Sequence, residues 1–260
     1  MANKVQQRLS DKIESFSSFS EILSFRAKHS SSNVFLIQGN EKWTYGEFDG
    51  LVNQCCNYFI DIGLNRGDTV SLVLRNSIDY LIMYFACIRS RIIVNPFPNH
   101  MGGEDILERL KDISPQFVFC HDSHFKSISN SNYKIVNLDN FKGHQFLIYL
   151  QKFSNEKIET RSLNENEIAV YYYSSGTTGG PKIIEYTHSS MVLSQASMIR
   201  SGFTHPSDVH LCFLPLGHTA ALRYTIKQCI CTGSTVVLYA SFWKLRSNLW
   251  NEVQKYEATF

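Results

Sequence analysis

With 260 residues, 43% of them apolar and 13% aromatic, the chain can bury a large core in one domain or two lobes. A net charge of +2, with basic residues scattered rather than clustered, argues against a polyanionic partner, and no nucleic acid is expected. Seven cysteines, an odd number with no C-x-x-C pair, point to buried free thiols in a reducing compartment and exclude a zinc site of that type.

The N-terminus, M-A-N-K-V-Q-Q-R-L-S-D-K, lacks the apolar stretch of a signal peptide, so the expected location is cytoplasmic. Ser20 to Lys28 reads as a short helix capped by Ser20, with Glu21 in its first turn. Val34 to Ile37 and Lys42 to Thr44 are extended pieces around Gly39-Asn40, a hairpin signal. Phe48, Leu51, Val52, Cys55, Phe59 and Ile62 then recur at helical spacing until Gly63 stops the helix. An alternation follows: strand Thr69 to Leu74, helix Ile78 to Ile88, strand Ile92 to Asn95, helix Glu104 to Ile113, strand Phe117 to Cys120. It predicts an α/β fold, parallel sheets flanked by helices. The longest strongly apolar run, Tyr80 to Ile88, is too short to span a bilayer, so no membrane span is expected. His121 and His124 flank Asp122, but no further ligand stands at a suitable spacing, which favours a surface loop over a metal site. Asp139 to Glu165 is polar and patternless apart from Phe146 to Leu150. It reads as a connection between a first α/β lobe, 1–165, and a second that starts at 166 and runs to 260.

The second lobe opens on Ile168 to Tyr173, an unbroken apolar and aromatic run with the pattern of a strand buried on both faces. From Ser174 to Lys182 the chain is S-S-G-T-T-G-G-P-K, and Ile183 to Tyr186 returns to extended structure. Gly176, Gly179 and Gly180 allow the backbone N–H groups to converge, while Ser174, Ser175, Thr177, Thr178 and Lys182 add donors. A site made of donors suits an anion, and phosphate is the usual guest. The plain alternative is a surface hairpin of ordinary loop residues. The Walker loop does not fit, because Pro181 stands at its second glycine and no Ser or Thr follows Lys182. Farther on, Ser190 caps a predicted helix through Ile199, and Val209 to Leu214 is a strand running into L-P-L-G-H-T. His218 ends that strand, where α/β sheets place ligands, although a core histidine bonded to backbone explains it too. Thr235 to Tyr239 is a strand, and Trp243 to Tyr256 a helix with Leu245, Leu249, Trp250 and Val253 on its apolar side. Glu257 to Phe260 reads as the start of a strand, whose sheet edge is expected to be left unpaired and prone to association.

Ser174 to Lys182 resembles the phosphate loop of the adenylate-forming ligases, a superfamily of acyl-CoA synthetases, aryl-acid–AMP ligases, adenylation domains and luciferases. That pattern is approximately [ST]-[SG]-G-[ST]-T-G-x-P-K-G, and Ile183 replaces its last glycine. Three further stretches are similar to the same family. They are W-T-Y-G-E-F-D (Trp43 to Asp49), the G-D-T-V-S-L-V-L-x-N-S order from Gly67 to Asn76 and Ser77, and L-P-L-G-H from Leu214. Two departures stand out: Arg89-Ser90-Arg91 sits where relatives have a Gly-Ala turn, and Thr219 where aryl-acid ligases tend to carry Asn.

The resemblance covers roughly residues 20 to 260 and only the front half of the family's architecture. It implies an enzyme that turns a carboxylate and Mg-ATP into an acyl-adenylate and pyrophosphate, usually followed by transfer to a thiol. ATP and Mg²⁺ are the implied cofactors. A small carboxylic acid, an acceptor thiol (CoA or a carrier protein) and a complementing C-terminal polypeptide are the implied partners. Ser174 to Lys182 would hold the β- and γ-phosphates, and His218 with Thr219 would face the acyl pocket. The family's adenylation lysine lies in a small C-terminal lid domain that this sequence lacks, so no catalytic residue is named. A chain of this kind is expected to be incomplete alone. The alternative is a non-catalytic relic or interaction protein that retains the loop.

Overall fold

In the computed structural model the described residues are 2–139, 141, 145–158, 164, 166–174, 181–202 and 204–260, with backbone only for 2–5. The strands are β1 (Val34–Gln38), β2 (Glu41–Thr44), β3 (Thr69–Val73), β4 (Ile93–Pro96) and β5 (Phe117–Cys120). They continue with β6 (Ile135–Asn137), β7 (Ile168–Tyr173), β8 (Ile183–Thr187), β9 (Val209–Cys212) and β10 (Thr235–Leu238). Parallel sheets flanked by helices form as the alternation predicts.

The chain divides into two compact units that are interleaved in sequence, not split at residue 165. One holds 1–50, 76–78 and 189–260; the other holds 51–75 and 79–188. Strand pairing gives the physical reason. β1 pairs in parallel with β10, Leu36 opposite Val236, so the first and last strands share a sheet of order β2-β1-β10-β9. β7 pairs with β4, Val170 opposite Val94, and closes a sheet of order β6-β5-β3-β4-β7-β8. The strands on either side of the glycine-rich stretch therefore belong with β3 to β6.

In the first unit the helix Phe19–His29 is capped by Ser18, not Ser20, with the Glu21 N–H donating to Ser18 Oγ at 3.4 Å. Ser18 and Glu21 have the S-x-x-E spacing of a capping box, which explains why the cap lies two residues earlier. Gly39 takes φ +63° in the β1–β2 hairpin, a conformation that disfavours a Cβ. Thr44 and Glu47 cap the helix Tyr45–Asp61 reciprocally: the Thr44 N–H donates to Glu47 Oε2 at 2.8 Å and the Glu47 N–H to Thr44 Oγ1 at 3.2 Å. That gives T-Y-G-E its structural role. The fully buried Tyr45 hydroxyl lies 2.8 Å from the Cys229 carbonyl oxygen and 2.7 Å from that of Ser234, bridging the end of a helix to the turn before β10. Tyr45→Phe removes the bridging hydroxyl, although the Cys229 carbonyl still accepts from the Gly233 N–H at 2.7 Å, and is expected to cost ~1–3 kcal/mol. A lower urea midpoint at unchanged slope would register the loss.

Residues 219–232, unassigned by the sequence reading, are helical throughout. Thr219–Ala221 leads into a π turn, Leu222–Ile226, and then Lys227–Thr232, which ends at Gly233 with φ +86°. Every residue of Lys227–Thr232 is buried, so the amphipathic period that betrays a surface helix is absent. The stretch Trp243 to Tyr256 is two helices, Phe242–Leu245 and Leu249–Tyr256, parted at Ser247-Asn248. Leu249, Val253 and Tyr256 pack on Ile37, Leu211 and Val237, whereas Trp250 stands off that face. Beyond it, the Thr259 N–H donates to the Val209 carbonyl at 2.9 Å and the Leu211 N–H to the Phe260 carbonyl at 2.7 Å. The last residues thus run along β9, in line with the reading of Glu257 to Phe260 as the start of a strand.

In the second unit Val73, Phe97, Ile106, Leu110, Val118, Cys120 and Ile128 form a core between the sheet and the helices Gly103–Ile113 and Asp122–Ile128. His121 and His124 are buried, not in a surface loop, because the helix Asp122–Ile128 starts directly after β5. Arg91, between the helix Ile78–Ser90 and β4, takes φ +60°. A non-glycine residue there costs ~1 kcal/mol, and the bond from Gly67 N–H to the Arg91 carbonyl at 2.9 Å helps to hold it. Among the described residues no helix is long and apolar enough to cross a membrane.

Candidate functional site

β3, β4, β5 and β7 run parallel, so their carboxyl ends, Val73, Pro96, Cys120 and Tyr173, lie along one edge of the second unit's sheet. That edge is where open α/β sheets bind ligands. The glycine-rich stretch leaves from it. β7 and β8 are antiparallel, with Tyr173 opposite Ile183 and Tyr171 opposite Glu185. Past Tyr173 the Ser174 N–H donates to the Lys182 carbonyl at 2.9 Å, and the Lys182 N–H donates to Ser174 Oγ at 3.2 Å. Two predicted site residues thus meet as the neck of the loop. Ser175, Gly176, Thr177, Thr178, Gly179 and Gly180, six of the predicted phosphate-binding positions, lie outside the described residues.

Three tyrosines of β7 hold the neck. The Tyr173 hydroxyl donates to the Arg109 carbonyl at 2.6 Å, and the Arg109 guanidinium lies 5.0 Å from the Tyr173 ring centroid. Tyr172 is buried with the Tyr186 ring edge-on at 5.4 Å, and burial pushes its hydroxyl pKa well above the usual range. The Tyr171 carbonyl accepts from Asn95 Nδ2 at 3.0 Å. The strand that launches the loop is therefore fixed, while the Lys182 side chain is exposed.

A polar network occupies the same edge. The Arg75 guanidinium grips Asp139 with two bonds, 2.7 and 2.5 Å, and holds that carboxyl at about 2. The Arg75 N–H donates to His121 Nδ1 at 3.1 Å, which places the proton of a neutral ring on Nε2, 3.9 Å from Asp79 Oδ2. Among the described residues no group of three or more His, Cys, Asp or Glu side chains could hold a metal ion.

His218 and Thr219 belong to the first unit. His218 is exposed in extended conformation ahead of the helical stretch, and its N–H donates to the Pro215 carbonyl at 3.0 Å. Thr219 is half-buried. The segment is clamped by Asn76, which the sequence places in the family-like order from Gly67 without a role of its own. Its Nδ2 donates to the carbonyls of Leu214 at 2.8 Å and Tyr239 at 3.1 Å, and its Oδ1 accepts from the Leu216 N–H at 2.8 Å. A buried amide meeting three backbone groups fixes the approach to His218. In the sequence Asn76-Ser77 is the N-S pair that closes that order, between strand and helix.

The model of the AMP-binding enzyme family matches residues 23–260. A 4-coumarate–CoA ligase 3 of Arabidopsis thaliana is 24% identical over 82% of this chain and 40% of its own length. The long-chain fatty acid transport protein 2 of Rattus norvegicus is 26% identical over 90% and 40%. Among solved structures, the inhibitor-bound N-terminal domain of FACL13 from Mycobacterium tuberculosis superposes with a TM-score of 0.84 at 19% identity. It covers 94% of this chain and 62% of that one. The chain thus spans about 40% of the length of the curated relatives it matches.

Proposed function

Because the chain belongs to the AMP-binding enzyme family, we propose that it forms part of an AMP-forming carboxylate ligase. In this reaction a carboxylate oxygen attacks the α-phosphorus of ATP, the bond to the β-phosphate oxygen breaks, and an acyl-adenylate and pyrophosphate result. An acceptor thiol, CoA or a carrier protein, then attacks the acyl carbon, loses its proton, and releases AMP. The observation that carries this reading is the Ser174–Lys182 neck, set at the carboxyl edge of a parallel sheet by one backbone bond and one bond to the Ser174 hydroxyl.

Donors from Ser174 to Lys182 would hold the β- and γ-phosphates, and the Lys182 ammonium would offset charge that grows on the departing pyrophosphate. Mg²⁺ comes with ATP, since its usual partners are phosphate oxygens and water, and no residue here is assigned as its ligand. His218 and Thr219 are assigned to the acyl pocket. The acid is of the aryl or fatty class that the two relatives' names describe. By resemblance the adenylation lysine belongs to a small C-terminal domain, so the activity is proposed for this chain together with a polypeptide that supplies one.

The test is acid-dependent ATP–pyrophosphate exchange by the chain co-expressed with such a polypeptide, across aryl and fatty acids. The expected result is exchange with one acid class. His218→Ala is expected to change the apparent affinity for the acid more than that for ATP. ATP binding without exchange for any acid would overturn the reading in favour of a non-catalytic protein that keeps the loop. An unaltered acid profile with a large drop in melting temperature would make His218 a core residue instead.

A further inference from the structure

One segment of the first unit presents aromatic and basic side chains to solvent together. Phe242, Trp243 and Trp250 are 43, 71 and 76% exposed, and the exposed Lys244 and Arg246 stand among them. This is not a failure of packing. Leu245 is buried, and Leu249, Val253 and Tyr256 cover the apolar cluster of Ile37, Leu211 and Val237, so the inward positions are filled. The outward side chains are organised among themselves. The Arg246 guanidinium lies 4.6 Å from the Trp243 ring centroid, and the Phe242 ring lies 6.5 Å from Trp243 and 5.4 Å from Phe213.

Charge decides what such a surface meets. Glu252, the acid nearest these cations in sequence, is engaged elsewhere: Oε2 accepts from the Tyr239 hydroxyl at 2.7 Å and pairs with Lys255 at 3.6 Å. Its Oε1 accepts from Asn248 Nδ2 at 3.1 Å. Glu257 is exposed beyond the end of the helix. Residues 242–250 contain no acidic residue, so the stretch carries only the positive charge of Lys244 and Arg246. Exposed indoles beside lysine and arginine form the pattern of a segment lying in a lipid interface, rings at headgroup depth and cations towards anionic lipid.

We propose that residues 242–250 seat this chain on an anionic phospholipid surface, with Trp243 and Trp250 inserted and Lys244 and Arg246 over the headgroups. The proposal is independent of the ligase reading. It requires peripheral binding only and involves no spanning helix.

The test is flotation of the full chain with vesicles of phosphatidylcholine alone and with one quarter phosphatidylserine, while tryptophan emission is recorded. Binding is expected to the serine-lipid vesicles, with a blue shift and with several-fold weakening when salt is raised from 0.1 to 0.5 M. Trp243→Ala with Trp250→Ala, and separately Lys244→Glu with Arg246→Glu, are each expected to reduce it tenfold or more. The charge pair is wholly at the surface, so its result stands even if the indole pair misfolds. Absence of binding to either vesicle, equal binding to both, or binding unaltered by the charge pair would overturn the proposal. Concentration-dependent self-association abolished by the indole pair, without vesicle binding, would assign the patch to a second copy of the chain and also overturn it.

Discussion

Lys182→Ala is expected to weaken pyrophosphate and ATP binding roughly tenfold or more while leaving the melting temperature within about 1 °C. A charge-assisted hydrogen bond contributes ~1.5–3 kcal/mol, which corresponds to a factor of ten or more in affinity. The backbone of Lys182 closes the loop neck through its N–H and carbonyl, and alanine keeps both bonds. Its side chain is exposed and adds little to the fold. Calorimetric titration with pyrophosphate separates the two effects. Equal affinity in wild type and variant would remove Lys182 from the phosphate site.

Lys227→Met is expected to stabilise the first unit, by about 1–4 kcal/mol at pH 7. The Lys227 amine is buried, 3.2 Å from Met191 Sδ and 5.5 Å from the Phe19 ring centroid. Burial lowers its pKa to about 7, with Cys231 opposing and Arg223 adding to the shift. The folded value lies below the ordinary lysine value of 10.5, so the unfolded chain holds more protons between about pH 7 and 10.5. Stability from this group therefore rises with pH across that window. Below pH 7 the amine is protonated in both states and its penalty is constant. The variant should melt higher at pH 7 by ~2–4 °C for each kcal/mol gained, and the rise between pH 7 and 10 should flatten. A lower melting temperature with the same pH slope would show that the ammonium is well solvated in the fold.

Local patterns were the most legible part of this molecule. Ile168 to Tyr173 forms a strand with those bounds, because an apolar run closed by Ser174 admits few other readings. The alternation from Thr69 to Cys120 gave the parallel sheet, since each strand there pairs with another strand of the same stretch. Sheet membership over long distance was not legible. Nothing local in Val34–Gln38 announces Thr235–Leu238 as its neighbour, and so the sequence alone reads as consecutive lobes. Burial on all sides hid the Lys227–Thr232 helix, and the Trp250 side chain was assigned to a face it does not use. Asn76 stands in a family-like order, but its clamping role was not legible, because three backbone contacts far away in sequence define it. His218 is legible as the end of the apolar strand in L-P-L-G-H, and the structure leaves its side chain exposed.

The central claim is that Ser174 to Lys182 receives the outer phosphates of ATP. Side-by-side calorimetric titration of the chain with pyrophosphate, ATP and AMP tests it most directly. Three or four backbone N–H bonds at ~1 kcal/mol each, with ~2 kcal/mol from Lys182, correspond to a Kd of about 0.1 mM before ordering costs, and nearer 1 mM after them. Pyrophosphate and ATP are expected to bind in that range and to compete with each other, while AMP, which lacks both outer phosphates, binds at least tenfold more weakly. AMP binding as tightly as ATP, with pyrophosphate silent, would contradict the claim.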